Sequence, residues 1–303
     1  MAFSADGECL VSADKAGVQV WQDGARVARI KESGLNCLAV SPDGRWIAAG
    51  SRFGNVFVWN AKTYEQLGVF QHNRGLLGSD IYGVDFSLDS SRMVTASEDQ
   101  TAAVWEVATR KQVFQLDHRH LNPRDWDEDY GPVTFEVRAA KYSPQGDRIA
   151  TATFCSVQVW DSNDGRLLVH IQVGVEPFYN TGLLWCDDHL FIVSMCTIKK
   201  FDASTGSAVS EWSIKDETTG WYNHDVCIAL PKHGEFIACS VASSRTVTVW
   251  DTSTHTQLSH ARHTQNICSI AISPDDRFLA MGGENGTVAV QQLSRITVSI
   301  VSR

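Results

Sequence analysis

The sequence is short of positive charge, with 26 Lys and Arg against 35 Asp and Glu and a formal net charge of -9. An acidic surface disfavours broad binding to nucleic acid, whose phosphates call for a basic face, and offers nothing to attract an anionic membrane. Long apolar runs are missing as well: none approaches the ~18–20 residues that span a bilayer. The start MAFSADGE has neither a basic n-region nor an apolar h-region, so no secretory signal is read there. These absences lead to the expectation of a soluble cytoplasmic protein, with the nucleus left open.

Catalytic and metal signatures are absent too. There is no G-x-x-x-x-G-K-[ST] phosphate loop, no G-x-S-x-G elbow, no H-E-x-x-H, and no G-x-G-x-x-G ahead of a helix. Eight cysteines stand at 9, 37, 155, 186, 196, 227, 239 and 268, none in a C-x-x-C pair and most in apolar strand-like runs. Buried thiols in a reducing compartment explain them, and no metal site follows. The acidic run Asp125-Trp126-Asp127-Glu128-Asp129 lacks the central Gly and ligand spacing of a calcium loop. His118 and His120 have no third ligand indicated. Asn285-Gly286-Thr287 fits a glycosylation sequon but reads as a hairpin turn. No cofactor, no metal and no enzymatic activity are therefore expected.

What the chain does have is repetition. A β-branched pair running into an aromatic residue recurs as VQVWQ at Trp21, VFVWN at Trp59, AAVWE at Trp105, VQVWD at Trp160, IKKFD at Phe201 and VTVWD at Trp250, with a degenerate VAVQQ at Gln291. The intervals are 38, 46, 55, 41, 49 and 41 residues. A second marker, a turn of the type Ser-Pro-Asp-Gly, keeps step with it at Ser4, Ser41, Ser87, Ser143 and Ser273, each 17 or 18 residues before the aromatic position. Proline sets φ for the second position of such a turn, and Asp or Gly completes a tight hairpin. Each unit then parses as four strands: an apolar strand, a small-residue strand, the Trp strand, and an alternating strand suited to a half-exposed outer position. At 43% hydrophobic and 10% aromatic, the chain has enough apolar mass for a large core.

Both markers resemble the WD40-repeat family, and the resemblance covers essentially the whole chain. It implies an all-β fold, a seven-bladed β-propeller of four-stranded antiparallel blades. The single domain 1–303 divides into blades at about 1–30, 35–70, 81–116, 137–171, 180–212, 225–260 and 267–301. In the family a His, a Ser or Thr, an Asp and the Trp hydrogen-bond within a blade, and only the third unit offers all four: His72, Ser97, Asp99 and Trp105. The first blade is incomplete at the N-terminus, since Met1 begins almost at its turn, whereas the last supplies its own outer strand within residues 296–301. A start of this kind reads as a truncated gene product or an excised domain.

Function in a propeller usually occupies loops on a rigid frame. The connections from each outer strand to the next blade emerge on one face, and the longest, Asp117 to Glu136, exceeds the usual length of a structureless loop. With the connections 71–80, 172–180 and 213–225 it places Leu76, Leu77, Arg124, Trp126, Tyr130, Phe178, Tyr179, Trp221 and Tyr222 near one rim. Aromatics and Arg amid charge have the composition of interface hot spots. The expected function is a non-enzymatic scaffold that holds a protein or peptide partner on this long-loop face, without nucleic acid or membrane. The likeness extends to fungal WD40 arrays attached to NACHT-type incompatibility NTPases, which implies a recognition module within a larger chain or complex. The alternative is a quinoprotein-like enzyme or small-molecule binder using the central channel. Its innermost strands are mostly apolar and small, with Asp85 and Lys141 as scattered polar groups.

Overall fold

The structure, a computed structural model, describes residues 1–14, 16–72, 79–119, 136–173, 182–194, 197–214, 226–241 and 244–293. Its strands form seven antiparallel sheets in sequence order. Blade one holds β1 (Ala2–Phe3), β2 (Cys9–Asp14), β3 (Gly17–Gln22) and β4 (Ala25–Ile30). Blade two holds β5 (Leu35–Val40), β6 (Trp46–Ser51), β7 (Asn55–Asn60) and β8 (Gln66–Gln71). Blade three is β9 (Ile81–Phe86), β10 (Arg92–Ser97), β11 (Thr101–Glu106) and β12 (Lys111–Asp117), and blade four is β13 (Ala139–Tyr142), β14 (Arg148–Ala152), β15 (Ser156–Asp161) and β16 (Leu167–Gln172). Blade five is β17 (Gly182–Cys186), β18 (His189–Ser194), β19 (Thr197–Asp202) and β20 (Ala208–Ser213). Blade six is β21 (Val226–Ala229), β22 (Phe236–Val241), β23 (Thr246–Asp251) and β24 (Gln257–Arg262), and blade seven is β25 (Ile267–Ile272), β26 (Phe278–Gly283) and β27 (Val288–Gln292). The seven-bladed propeller is the architecture the two markers imply, and its first blade has a two-residue innermost strand. The outer strand expected for blade seven lies outside the described residues. No helix among those described is long and apolar enough to cross a membrane.

The two sequence markers have separate physical causes. In the turn marker the Ser hydroxyl accepts the amide hydrogen five residues on, as in Trp46 N to Ser41 Oγ at 2.9 Å and Arg92 N to Ser87 Oγ at 2.9 Å. The same hydroxyl donates to the turn carboxylate, Ser41 to Asp43 and Ser87 to Asp89, each at 2.6 Å. These local bonds close the hairpin before any blade packs. At the Trp marker the pairing to the outer strand slips by one residue immediately before the aromatic ring in blades one to six. Such a bulge adds twist to the blade's outer half.

The residue after the ring then caps the following turn. Asn60, Asp161, Asp202 and Asp251 accept backbone N–H groups two residues on, at 2.8, 2.8, 3.0 and 2.8 Å. Burial raises the pKa of Asp251, but hydrogen bonds from Ser253 and Thr254 more than reverse this and hold the carboxyl at about 2. Aromatic-then-acid is thus two jobs in adjacent residues: one side chain fills the space between blades, the next closes the turn.

The core lies between blades rather than within them. Phe70 on β8 packs edge-on against Trp105 of the next blade, with ring centroids 5.8 Å apart. Leu116 on β12 meets Trp160 in the same way, and Ile171 on β16 meets Phe201. Each outer strand therefore completes its neighbour's core, which is why a single blade cannot bury its own faces. The junction between blades one and seven is different. There a cavity of about 400 Å³ opens among Phe3, Leu10, Trp21, Phe278, Val288 and Val290, and the Met1 amine reaches across to Ser269 Oγ at 2.9 Å.

Candidate functional site

Within blade three, His72, Asp99 and Trp105 share one network, but the hydroxyl at its centre belongs to Thr95, not Ser97. Trp105 Nε1 donates to Thr95 Oγ1 at 2.9 Å, His72 Nε2 lies 2.6 Å from the same oxygen, and His72 Nδ1 lies 3.2 Å from Asp99 Oδ2. Ser97 accepts the Asp99 amide instead, at 3.2 Å. Residues 95 and 97 point to the same side of β10, since a strand alternates faces with period two. Register decides between them: Met93 pairs with Trp105 and Thr95 with Ala103, which puts Thr95 one diagonal step from the indole. Burial raises the Asp99 pKa, yet the His72 contact and the Thr101 hydroxyl and amide outweigh it, and the net displacement is downward.

This geometry sets an expected result. Thr95→Val keeps the volume and leaves the buried Trp105 N–H and His72 Nε2 without their shared partner. It should cost about 2–3 kcal/mol by denaturant titration, whereas Ser97→Ala should cost about 1 kcal/mol or less. Equal losses would return the central role to Ser97.

Blade four repeats the arrangement without an acid. Trp160 Nε1 donates to Thr151 Oγ1 at 2.7 Å, and His118 Nε2 lies 2.8 Å from that hydroxyl. His118 Nδ1 faces the Leu116 carbonyl at 3.2 Å. A carbonyl only accepts, so Nδ1 carries the proton and Nε2 accepts from Thr151. His118 is 2% exposed, and burial pushes its pKa down to about 4. A His118–His120 pair on a long loop does not show this role; the available signal was that His118 directly follows an outer strand, β12, as His72 follows β8.

The linkage follows from that downward displacement. Above the unfolded value of ~6.5 both states are neutral and nothing is lost. As pH falls from there towards 4, the unfolded chain binds a proton that the folded chain refuses, and stability drains away by up to about 3 kcal/mol. His118→Gln should flatten the acid limb of a stability–pH curve between pH 6.5 and 4; an unchanged limb counts against the assignment.

The long-loop face is formed by the connections from each outer strand to the next blade and from each second strand to its Trp strand. All nine partner-contact residues expected from the sequence, Leu76, Leu77, Arg124, Trp126, Tyr130, Phe178, Tyr179, Trp221 and Tyr222, lie outside the described residues. Two described features on the same face were not singled out from sequence. The first is Phe53, in a 3₁₀ turn at Arg52–Gly54, with φ 68° and ψ 23°. It is 72% exposed. A bulky residue in the left-handed region is strained, and here the flanks hold it: Ser51 Oγ donates to the Arg52 carbonyl at 2.8 Å, and His72 N donates to Gly54 O at 3.0 Å. Phe53 stands where the equivalent turns of blades three and seven carry Asp99 and Asn285. An aromatic ring at a polar turn position was the readable signal.

The second feature is Arg138. Its guanidinium lies 4.1 Å from the Tyr82 ring centre and 4.9 Å from that of Phe154, and it pairs with Glu136. Burial pushes the Tyr82 pKa up to about 12. Next to this clamp, Asp80 N donates to Glu98 Oε2 at 3.1 Å and Asn36 Nδ2 approaches Asp80 Oδ2 at 3.4 Å. Blades two to four thus carry a projecting aromatic ring and, on the same face, a largely buried cation held against two aromatic rings and a carboxylate. On the innermost strands, Lys141 Nζ and Asp85 Oδ1 pair at 3.2 Å, so each neutralises the other.

The comparisons with known proteins agree with this frame. The family described as WD domain, G-beta repeat, matches residues 26–60, 65–106, 216–251 and 254–290. Each match that lies wholly on described residues starts near an outer strand and ends near the next blade's Trp strand, the same offset that couples neighbouring blades in the core. WD repeat-containing protein 18 of Danio rerio is 24% identical over 271 residues, which is 86% of this chain and 60% of that protein. WD repeat-containing protein 1 of Xenopus tropicalis is 35% identical over 97 residues, 32% of this chain and 15% of its own length. Pre-rRNA-processing protein IPI3 of Mycosarcoma maydis is 24% identical over 200 residues, covering 61% and 32% respectively. The chain therefore spans less than two thirds of each of these relatives.

Proposed function

The chain belongs to the WD40-repeat family, and from that premise we propose that it is a non-enzymatic scaffold holding a protein or peptide partner on its long-loop face. The observation that carries this reading is Phe53, a large apolar side chain displayed on a turn that the rest of the blade holds in an unfavourable backbone conformation. A strained, pre-set aromatic contributes to binding because little freedom is left for it to lose. The Arg138 cluster on the same face adds a cation against aromatic rings, a composition typical of interface anchors. Likeness to a pre-rRNA-processing protein gives one setting in which such a scaffold would work, and we add recognition arrays on fungal NTPases as a second from the sequence pattern alone.

Phe53→Ala should weaken the partner by about 2 kcal/mol, or roughly thirtyfold. Removing an exposed, strained side chain should leave thermal stability unchanged or higher. The check is quantitative affinity capture of the full chain against the variant at matched abundance. Unchanged recovery of every partner would remove Phe53 from the interface.

A further inference from the structure

The face opposite the long loops, at the junction of blades three and four, holds a cleft of about 460 Å³. Its lining includes Leu88, Asp89 and Arg92 from blade three, and Tyr142, Gln145 and Asn163 from blade four. Tyr142 is 7% exposed, and its hydroxyl has no hydrogen-bond partner among the described residues. The residues in the same place before the turns of other blades are Val40, Phe86, Leu230 and Ile272, so the hydroxyl is peculiar to this junction. A buried donor left unmade costs about 1–3 kcal/mol, and a partner that arrives from outside recovers it. Burial raises the phenol pKa, with Arg92, Asp85 and Asp89 nearby, so the O–H remains a donor across the working pH range.

The rest of the lining sets the chemistry of that partner. Arg92 Nη1 donates to the Ser162 carbonyl at 3.0 Å, and among the described residues no other protein acceptor meets its guanidinium. Asp89 is the one carboxylate lining the cleft, and it is already engaged by the Ser87 hydroxyl at 2.6 Å, the Ser91 hydroxyl at 2.7 Å and the Ser91 amide at 3.0 Å. Hydrogen-bond donors are therefore in surplus, while the charges of Arg92 and Asp89 balance. At the mouth Leu88 is 60% exposed. A neutral acceptor with an apolar neighbour fits this lining better than an anion, which Asp89 and the chain's net charge of -9 would repel.

We propose that this cleft is a second, independent docking site for an extended peptide segment of a partner protein, whose main-chain carbonyl accepts from Tyr142 and Arg92 while an aliphatic side chain covers Leu88. The test is a phage-displayed peptide library panned on the full chain, with Leu88→Arg as the counter-target. Enriched peptides are then measured by calorimetry on the parent chain and on the Tyr142→Phe and Phe53→Asp variants. Affinity is expected to fall tenfold or more in Tyr142→Phe and Leu88→Arg and to stay unchanged in Phe53→Asp. Tyr142→Phe should melt no lower than the parent, because no internal bond is removed. Three results would overturn the proposal: no peptide that prefers the parent chain to Leu88→Arg; a Tyr142→Phe variant that loses stability and keeps its affinity; or selected peptides that bind through an acidic side chain with steep salt dependence.

Discussion

Trp105→Ala is expected to cost about 3–5 kcal/mol, among the largest losses any single side chain here can cause. The indole is 4% exposed. It fills the space between blades two and three, against Phe70 at 5.8 Å and His72 at 5.7 Å between ring centroids. Its removal also strips Thr95 of the N–H that it accepts at 2.9 Å. The cavity cannot close easily, because its walls belong to two sheets fixed by their own ladders. Trp21→Ala offers the comparison. That ring donates to Ser12 at 2.9 Å but borders the open cleft at the junction of blades one and seven. Less packing is lost there, and about half the effect is expected. Equal midpoints in guanidinium titration would refute the claim that the interblade core, rather than the blade's own hydrogen bonds, makes the Trp position costly.

Gly17→Ala should be at least as damaging, with a loss above about 4 kcal/mol, the range reserved for strain at a special backbone position. Gly17 opens β3 at φ +121°, a conformation that side chains rarely adopt. A Cβ there would stand 2.0 Å from the Ile30 carbonyl oxygen and 3.0 Å from Glu32 N, both backbone atoms that cannot rotate aside. Relief requires parting β3 from β4, and β4 is the strand by which blade one reaches blade two, with Ile30 packed on their shared core. Gly24→Ala is the control: at φ +76° with nothing within 4 Å, it carries only the conformational penalty of about 1–2 kcal/mol. Hydrogen exchange should show faster opening of residues 9–30 in Gly17→Ala and little change in Gly24→Ala. Similar behaviour of the two variants would mean that the close approach is not a constraint in solution.

Much of the fold was legible before any coordinates, and the reason is local. Where the turn carries a Ser, that Ser closes its own hairpin within five residues, and where Asp or Asn follows the aromatic ring it closes the next turn within three. Signals of that range repeat in the sequence because the bonds repeat in the chain. The blade-three network was legible to within one hydroxyl. His72, Asp99 and Trp105 were read correctly although His72 sits further from its strand than is usual in the family, but Thr95 and Ser97 share a face of β10 and only the register against β11 separates them. Phe53 was not singled out because its meaning depends on the turn's left-handed backbone and on its exposure, neither of which composition reports. The hydroxyl of Tyr142 is the same kind of case: a tyrosine at the end of an apolar strand looks like core until its surroundings are known, and none of the described residues accepts from it.

By itself, then, the sequence determined the number of blades, the order of strands within each, and the chemistry that caps the repeated turns, since those depend on interactions a few residues long. The tertiary structure decided which side chains are neighbours across the ring. Phe70 belongs to the core of Trp105, Leu116 to that of Trp160, and the cleft beside Tyr142 exists only because two turns 56 residues apart come to lie side by side. Contacts of that separation are fixed by stacking seven twisted sheets into a circle, and no pattern within one repeat encodes them.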